Sequence, residues 1–259
     1  MLKRHIFFLF FSLLLLSCNA CRKNGGIPPP PDTQIIYPAD GDTITNAQIS
    51  CEWTGIDNAI EFSYKLDSEQ WSPWISEESA LFFLDEGQHG LSVKSRNEFK
   101  RVDPTPDSVT FYIDEISGPA LWIKKREMVV PVSLPNSLHV FVEEVTDLML
   151  AYIELDFSTS KLRIDSITPH RDFLERNGGS LQIISEFSDT LPSIKVTLGI
   201  VGGSPKGISG TGSLFTVHYI LKVTDSTTVS FSSATEIRDT LNVPIGLTGM
   251  WSGIIRPEE

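Results

Sequence analysis

Between Gln34 and Asp114 apolar side chains recur at every second position. Ile49, Cys51 and Trp53 alternate with polar residues, as do Phe62, Tyr64 and Leu66, then Leu91 and Val93, then Val109, Phe111 and Ile113. A period of two puts alternate side chains on opposite faces of a strand. Turn-forming runs punctuate the pattern at Pro38-Ala39-Asp40-Gly41-Asp42, Asp85-Glu86-Gly87 and Asp103-Pro104-Thr105-Pro106. Short alternating strands at this spacing predict a β-sandwich of about eighty residues, assigned here to residues 34–116. No amphipathic helix is predicted in this stretch.

A second run of alternation begins near Pro119. Ala151, Ile153, Leu155 and Phe157 interleave with Tyr152, Glu154 and Asp156, and Phe215, Val217, Tyr219, Leu221 and Val223 repeat the pattern. Strands are predicted at Met128–Leu134, Leu138–Val142, Leu148–Phe157, Leu162–Ile167, Leu181–Phe187, Ile194–Val201, Ser213–Val223 and Thr228–Ser232. The stretch Gly199 to Gly212, rich in Gly, Ser and Pro, reads as a long loop. So many strands in so short a unit predict a two-sheet, jelly-roll-like sandwich over residues 118–256. The fold class is therefore all-β, with two tandem β-sandwiches.

The N-terminus follows a different rule. Lys3-Arg4 precede an apolar stretch from Ile6 to Leu16. That run is too short for a bilayer, which takes roughly twenty residues, and has the build of a secretory signal covering residues 1–17. Its end, Leu15-Leu16-Ser17-Cys18, resembles a bacterial lipobox. The resemblance implies cleavage before Cys18 and lipidation of that residue, anchoring the chain in a Gram-negative cell envelope. Asn19 after the Cys is compatible with the outer membrane. An acidic export stretch does not follow, so the resemblance leaves the periplasmic and surface faces both open. Residues 18–33 form a tether whose Pro28 to Pro31 segment is stiff polyproline.

Charge and cysteine content narrow the function classes. The chain carries a net charge of −12, which repels nucleic acid and anionic lipid heads. Cys51 lies in an alternating run and reads as a small buried hydrophobe; the other reading is a disulfide with Cys21 in an oxidising compartment. There is no CxxC pair or Cys/His cluster for a structural zinc site. No HExxH, G-x-S-x-G or phosphate-loop motif occurs. The pairs Glu77-Glu78 and Glu143-Glu144 point to opposite faces of a strand, which is no ready acid–base dyad. His139 and His218 alternate with apolar neighbours and are expected to face solvent. No cofactor, metal or catalytic residue is assigned, and the chain is read as a non-enzyme.

Two resemblances extend this reading. Cys51-Glu52-Trp53-Thr54-Gly55-Ile56-Asp57, Tyr64-Lys65-Leu66-Asp67 and Trp71-Ser72-Pro73-Trp74 are similar to an immunoglobulin-like or fibronectin-III-like module, with Leu84-Asp85-Glu86-Gly87-Gln88-His89 and Asp103-Pro104-Thr105-Pro106 completing the match. In such modules Trp53 is core, whereas Trp71 and Trp74 either cap the sandwich or form a sugar-stacking platform. Further on, Ala151-Tyr152-Ile153-Glu154-Leu155-Asp156-Phe157, Lys161 to Pro169 and Gly210-Thr211-Gly212-Ser213-Leu214-Phe215 resemble a cohesin domain. That likeness implies a rigid sandwich that binds a dockerin-type exported protein through one sheet face, with strands Leu181–Phe187 and Ile194–Val201 as contributors. The alternative is a carbohydrate-binding lipoprotein of a polysaccharide-uptake system, with Trp71, Trp74 and Trp122 as exposed aromatics.

One triplet recurs six times: Asp, then Ser or Thr, then an aliphatic residue or Thr. It resembles an O-glycosylation motif of exported bacterial proteins and would place sugar on Thr43, Ser108, Ser166, Thr190, Ser226 and Thr240. Equally, it is the wording of a turn that leads into a strand.

Overall fold

The computed structural model describes residues 28–204 and 206–258. The signal segment, Cys18, Cys21 and the first part of the tether lie outside the described residues. The chain is all-β, as the alternation predicts.

The first sandwich has seven strands: β1 (Asp32–Tyr37), β2 (Thr43–Ile44), β3 (Gln48–Ile56), β4 (Glu61–Leu66), β5 (Ser79–Phe83), β6 (Gly87–Arg96) and β7 (Asp107–Ile113). They form a three-stranded sheet, β1-β3-β5, facing a four-stranded sheet, β2-β7-β6-β4. Each alternating set supplies one side of the core. Ile49, Cys51 and Trp53 come from one sheet, and Phe62, Leu91, Val93, Phe111 and Ile113 from the other. Cys51 is a fully buried free thiol, and burial pushes its pKa up to about 12. It behaves as the small hydrophobe its pattern predicts.

The second sandwich begins with β8 (Ala120–Lys124) and β9 (Glu127–Val130), then β10 (Pro135–Asp156) and β11 (Leu162–Pro169). A single helical turn, α1 (Arg171–Leu174), leads to β12 (Gly179–Glu186), β13 (Ser193–Gly202) and β14 (Ile208–Leu221). The chain closes with β15 (Thr227–Phe231), β16 (Glu236–Asp239), β17 (Gly249–Trp251) and β18 (Gly253–Pro257).

β10 organises the unit because it takes part in both layers. Residues 135–148 pair with β14 and, on the other edge, with β8. After bulges around Val142, Val145 and Leu148 the strand continues: residues 150–156 pair with β13 on one edge, and on the other residues 148–152 pair with β16 and 155–156 with β15. Glu144 and Asp147 take positive φ at this corner. Bulges add residues on one strand only, which bends it and re-aims its side chains. We call β12-β13-β10(150–156)-β16 the front sheet and β11-β14-β10(135–148)-β8 the back sheet. Ile153, Leu155, Val196 and Leu198 from the front pack on Val140, Phe215 and Val217 from the back, all essentially inaccessible.

Three expectations change. The segments Leu138–Val142 and Leu148–Phe157 belong to one continuous strand, because the corner between them keeps its ladder. The Gly199 to Gly212 loop shrinks to a few residues, because β13 runs to Gly202 and β14 starts at Ile208. β8 and the strands after residue 232 were not foreseen.

The sandwiches are joined by specific contacts. Ile116, Ala120 and Trp122 form a small core of their own with Phe141 and Trp251. Glu86 accepts hydrogen bonds from the backbone N–H groups of Glu115 and Ile116 at 2.8 Å each. From the second sandwich, Arg126 reaches back to Glu115 at 2.7 Å, and its backbone N–H donates to Asp85 at 2.9 Å.

Candidate functional site

The front sheet presents an open outer face. Cross-strand register builds it in rows. One row is Arg238, Leu150, Gly199 and Gln182; the next is Glu236, Tyr152, Thr197 and Ile184. A third sets Lys195 between Glu154 and Glu186. Ile184 and Val201 stand out, 74% and 59% exposed, and Leu241 at the turn beyond β16 is 80% exposed. Tyr152 donates its hydroxyl to Glu154 at 3.1 Å, which fixes the ring on the face. Apolar anchors are thus set among charges of both signs, the composition of a recognition patch rather than of a core.

Gly199 is at the middle of this face. Its φ is not positive, and a Cβ built on it would meet nothing within 4 Å. Neither backbone geometry nor internal packing calls for a glycine. Gly in a strand interior costs stability and marks a place where another backbone can come close. Elsewhere packing does dictate glycine: a Cβ on Gly212 would lie 2.1 Å from the Phe173 ring. The signal for Gly199 was present in the sequence. Ile194, Val196, Leu198 and Ile200 point inward, so the alternation runs through Gly199 unbroken; local Gly content masked it.

The other candidates are scattered. Trp71 and Trp74 are half-buried beside the outer face of the four-stranded sheet of the first sandwich. The Lys94 ammonium sits 3.9 Å from the Trp71 ring centre, and the Arg96 guanidinium 4.4 Å from that of Trp74. Those cations cover ring faces on which a sugar would stack. Trp122 is corrected outright. It is 2% exposed, packs on Phe141 at 4.9 Å, and its indole N–H donates to Glu143 at 3.0 Å. With both faces covered it offers no sugar platform.

Glu143 and Glu86 border a cavity of about 400 Å³ between the sandwiches. Burial pushes the carboxyl of Glu143 upward, against the pull of donors Thr211 and Trp122. Burial likewise raises Glu86, against its two backbone donors. Both carboxylates are taken up by structural hydrogen bonds. Glu143 is buried and Glu144 exposed, facing apart as expected for neighbours.

Of the triplet hydroxyls, Thr43, Ser108, Ser166, Thr190 and Ser226 are exposed. Thr240 is half-buried and donates to Asp147 at 2.5 Å. Among the described residues, no group of three or more His, Cys, Asp or Glu side chains is arranged to hold a metal ion. No helix among them is long and apolar enough to cross a membrane.

No protein-family model matches the sequence, and no curated protein matches it. Its structure is similar to solved cohesin domains over about half of the chain. The non-cellulosomal cohesin of the hyperthermophilic archaeon Archaeoglobus fulgidus shares 20% identity at a TM-score of 0.42, covering 54% of this chain and 91% of that one. A type I cohesin of Clostridium thermocellum, solved in a cohesin–dockerin complex, shares 12% at 0.44, covering 54% and 99%. The sixth cohesin of scaffoldin B from Acetivibrio cellulolyticus, in complex with a dockerin, shares 16% at 0.44, covering 55% and 100%.

Proposed function

We propose that the chain is a non-catalytic, lipid-anchored binding protein of the Gram-negative cell envelope. It presents the front face of its second sandwich to an exported protein of dockerin type. Gly199 carries this reading: a glycine that its own fold does not need, at the centre of an exposed sheet flanked by Tyr152, Ile184 and Val201. The cohesin-like wording of Ala151 to Phe157 and of Gly210 to Phe215 points to the same use of the sheet. Cys18 would supply the anchor, in the outer membrane, with the proline tether and the first sandwich as spacer. Sugar on Thr43, Ser108, Ser166, Thr190 and Ser226 would leave the centre of the front face clear, since none of these residues lies in its rows.

The test compares the full-length protein with Gly199→Arg. Both are immobilised and exposed to the exported proteins of the same organism. The wild type is expected to retain a specific protein, released by calcium chelation because dockerin-type modules fold around calcium, and Gly199→Arg is expected to lose it. Equal retention by both overturns the assignment of the face, and no specific retention overturns protein binding. Separately, Cys18→Ala is expected to move the protein from the membrane fraction to the soluble one. Glycan binding that is lost in Trp71→Ala would favour the carbohydrate reading instead.

A further inference from the structure

The back sheet carries a second, chemically distinct feature on its outer side. His139 on β10 and His170, which follows β11, have ring centres 5.7 Å apart. Both lie against one hydroxyl: Thr216 Oγ1 is 2.8 Å from His139 Nδ1 and 2.7 Å from His170 Nε2. One hydroxyl proton serves only one ring as donor, so the other ring nitrogen carries the proton in its bond. His139 Nε2 and His170 Nδ1 have no partner among the described residues. His218 on β14 continues the row, held by Thr168 at 3.1 Å.

Beside this row opens a cavity of about 500 Å³, bordered by Lys124, Lys125, Met128, His139, Phe141 and Ser213 among others. Ser213 Oγ is buried and has no hydrogen-bond partner. A buried polar group left unsatisfied is unusual in a folded protein and marks the wall of this cavity. Lys124 lies over the Phe141 ring at 5.2 Å, which joins positive charge to an apolar wall. The groups whose charge lowers His139, after burial, are His170, Lys124, His218 and Lys125. Lys124 and Lys125 come from β8 and its turn, His170 from the segment before α1, and His218 from β14. In a chain of net charge −12, such a gathering of basic groups is a local positive patch, which draws an anion to the cavity.

We propose that this cavity binds a small organic carboxylate, its charged end toward Lys124, His139 and Ser213 Oγ and its apolar body on Phe141 and Met128. The size fits a ligand of modest dimensions. Ser213 donates a neutral hydrogen bond and Lys124 a charge. Each ring that is protonated adds an attraction, so affinity rises as pH falls through the histidine titration. With His139 already held below the ordinary histidine range by burial and cationic neighbours, the bound anion raises it again.

The probe is benzoate, added to the purified full-length protein and followed by the ring-proton NMR signals of His139 and His170. Acetate supplies the charge without the body, and benzyl alcohol the body without the charge. Benzoate is expected to give saturable shifts and a higher His139 pKa, with affinity about tenfold stronger at pH 5.5 than at pH 8. Acetate should bind more weakly and benzyl alcohol not at all. Lys124→Gln and Ser213→Ala are each expected to weaken benzoate at least fivefold while leaving the melting temperature unchanged. Non-saturable shifts, equal responses to acetate and benzoate, or full affinity in both variants would each overturn the site.

Discussion

The two sheets of the second sandwich share one core and one strand, yet their outer faces differ. The back sheet is covered at one end by the junction with the first sandwich, where Ile116 and Trp251 pack with the buried Trp122. At its other end it gathers histidines and lysines around a cavity. The front sheet is uncovered along its length, with Ile184 and Val201 in water. The inner halves of both sheets obey the same alternation. What sits on the outside, and so what each sheet can do, is set by whether a neighbour arrives.

Several substitutions would sharpen or break this contrast. The largest effect belongs to the shared core. Phe215→Ala removes a fully buried ring and is expected to cost about 3–5 kcal/mol in urea unfolding, with both sheets losing protection together. Independent loss of one sheet would break the view of a single core. Next comes Trp122→Phe, which keeps an aromatic side chain, smaller than the indole, but deletes the indole N–H that donates to Glu143. The buried carboxylate then loses a donor, at about 1–3 kcal/mol, and the junction with the first sandwich loosens, which limited proteolysis around residues 114–119 would detect.

A third prediction concerns pH. Glu86 and Glu143 have folded-state pKa values raised above the ordinary 4.5. The folded chain therefore binds their protons more tightly than the unfolded chain, and stability rises as pH falls from neutral toward 4.5. Glu143→Gln should flatten that rise, and an unchanged urea midpoint profile would remove Glu143 from the account. Glu61 works in the opposite sense. Hydrogen bonds from Arg96 and Lys100 hold it at about 2, so its contribution is present above 4.5 and lost as pH falls toward 2. The smallest effect is Gly199→Arg, expected within about 0.5 kcal/mol of wild type because a Cβ there meets nothing within 4 Å. A large loss would mean that Gly199 serves the fold and not a partner.

Much of the fold was legible because most strands bury one face only. Ile49, Cys51 and Trp53, or Ala151, Ile153 and Leu155, point inward while their neighbours face out, and period two follows. β8 was illegible for the converse reason. Ala120, Leu121, Trp122 and Ile123 are all buried, since Ile116 and Phe141 cover the outer side, so no alternation exists to read. The same cover explains why Trp122 read as an exposed aromatic. At the front face the strands were legible, whereas its central Gly199 was hidden in a Gly-rich stretch. The histidine row was half legible: alternation set His139 and His218 outward, but their meeting with His170 depends on β10, β14 and the end of β11 coming together.

The shared strand β10 has a mechanical consequence. Any tug on a partner held at the front face enters the chain at residues 150–156. It passes, without leaving one stretch of backbone, into the sheet that abuts the first sandwich. A pull directed along that strand loads its ladders to β13 and β14 in shear, many hydrogen bonds at once instead of one after another. On the proposed reading, with an anchor at one end and a partner on the front face, the 22-residue strand is the cable between them.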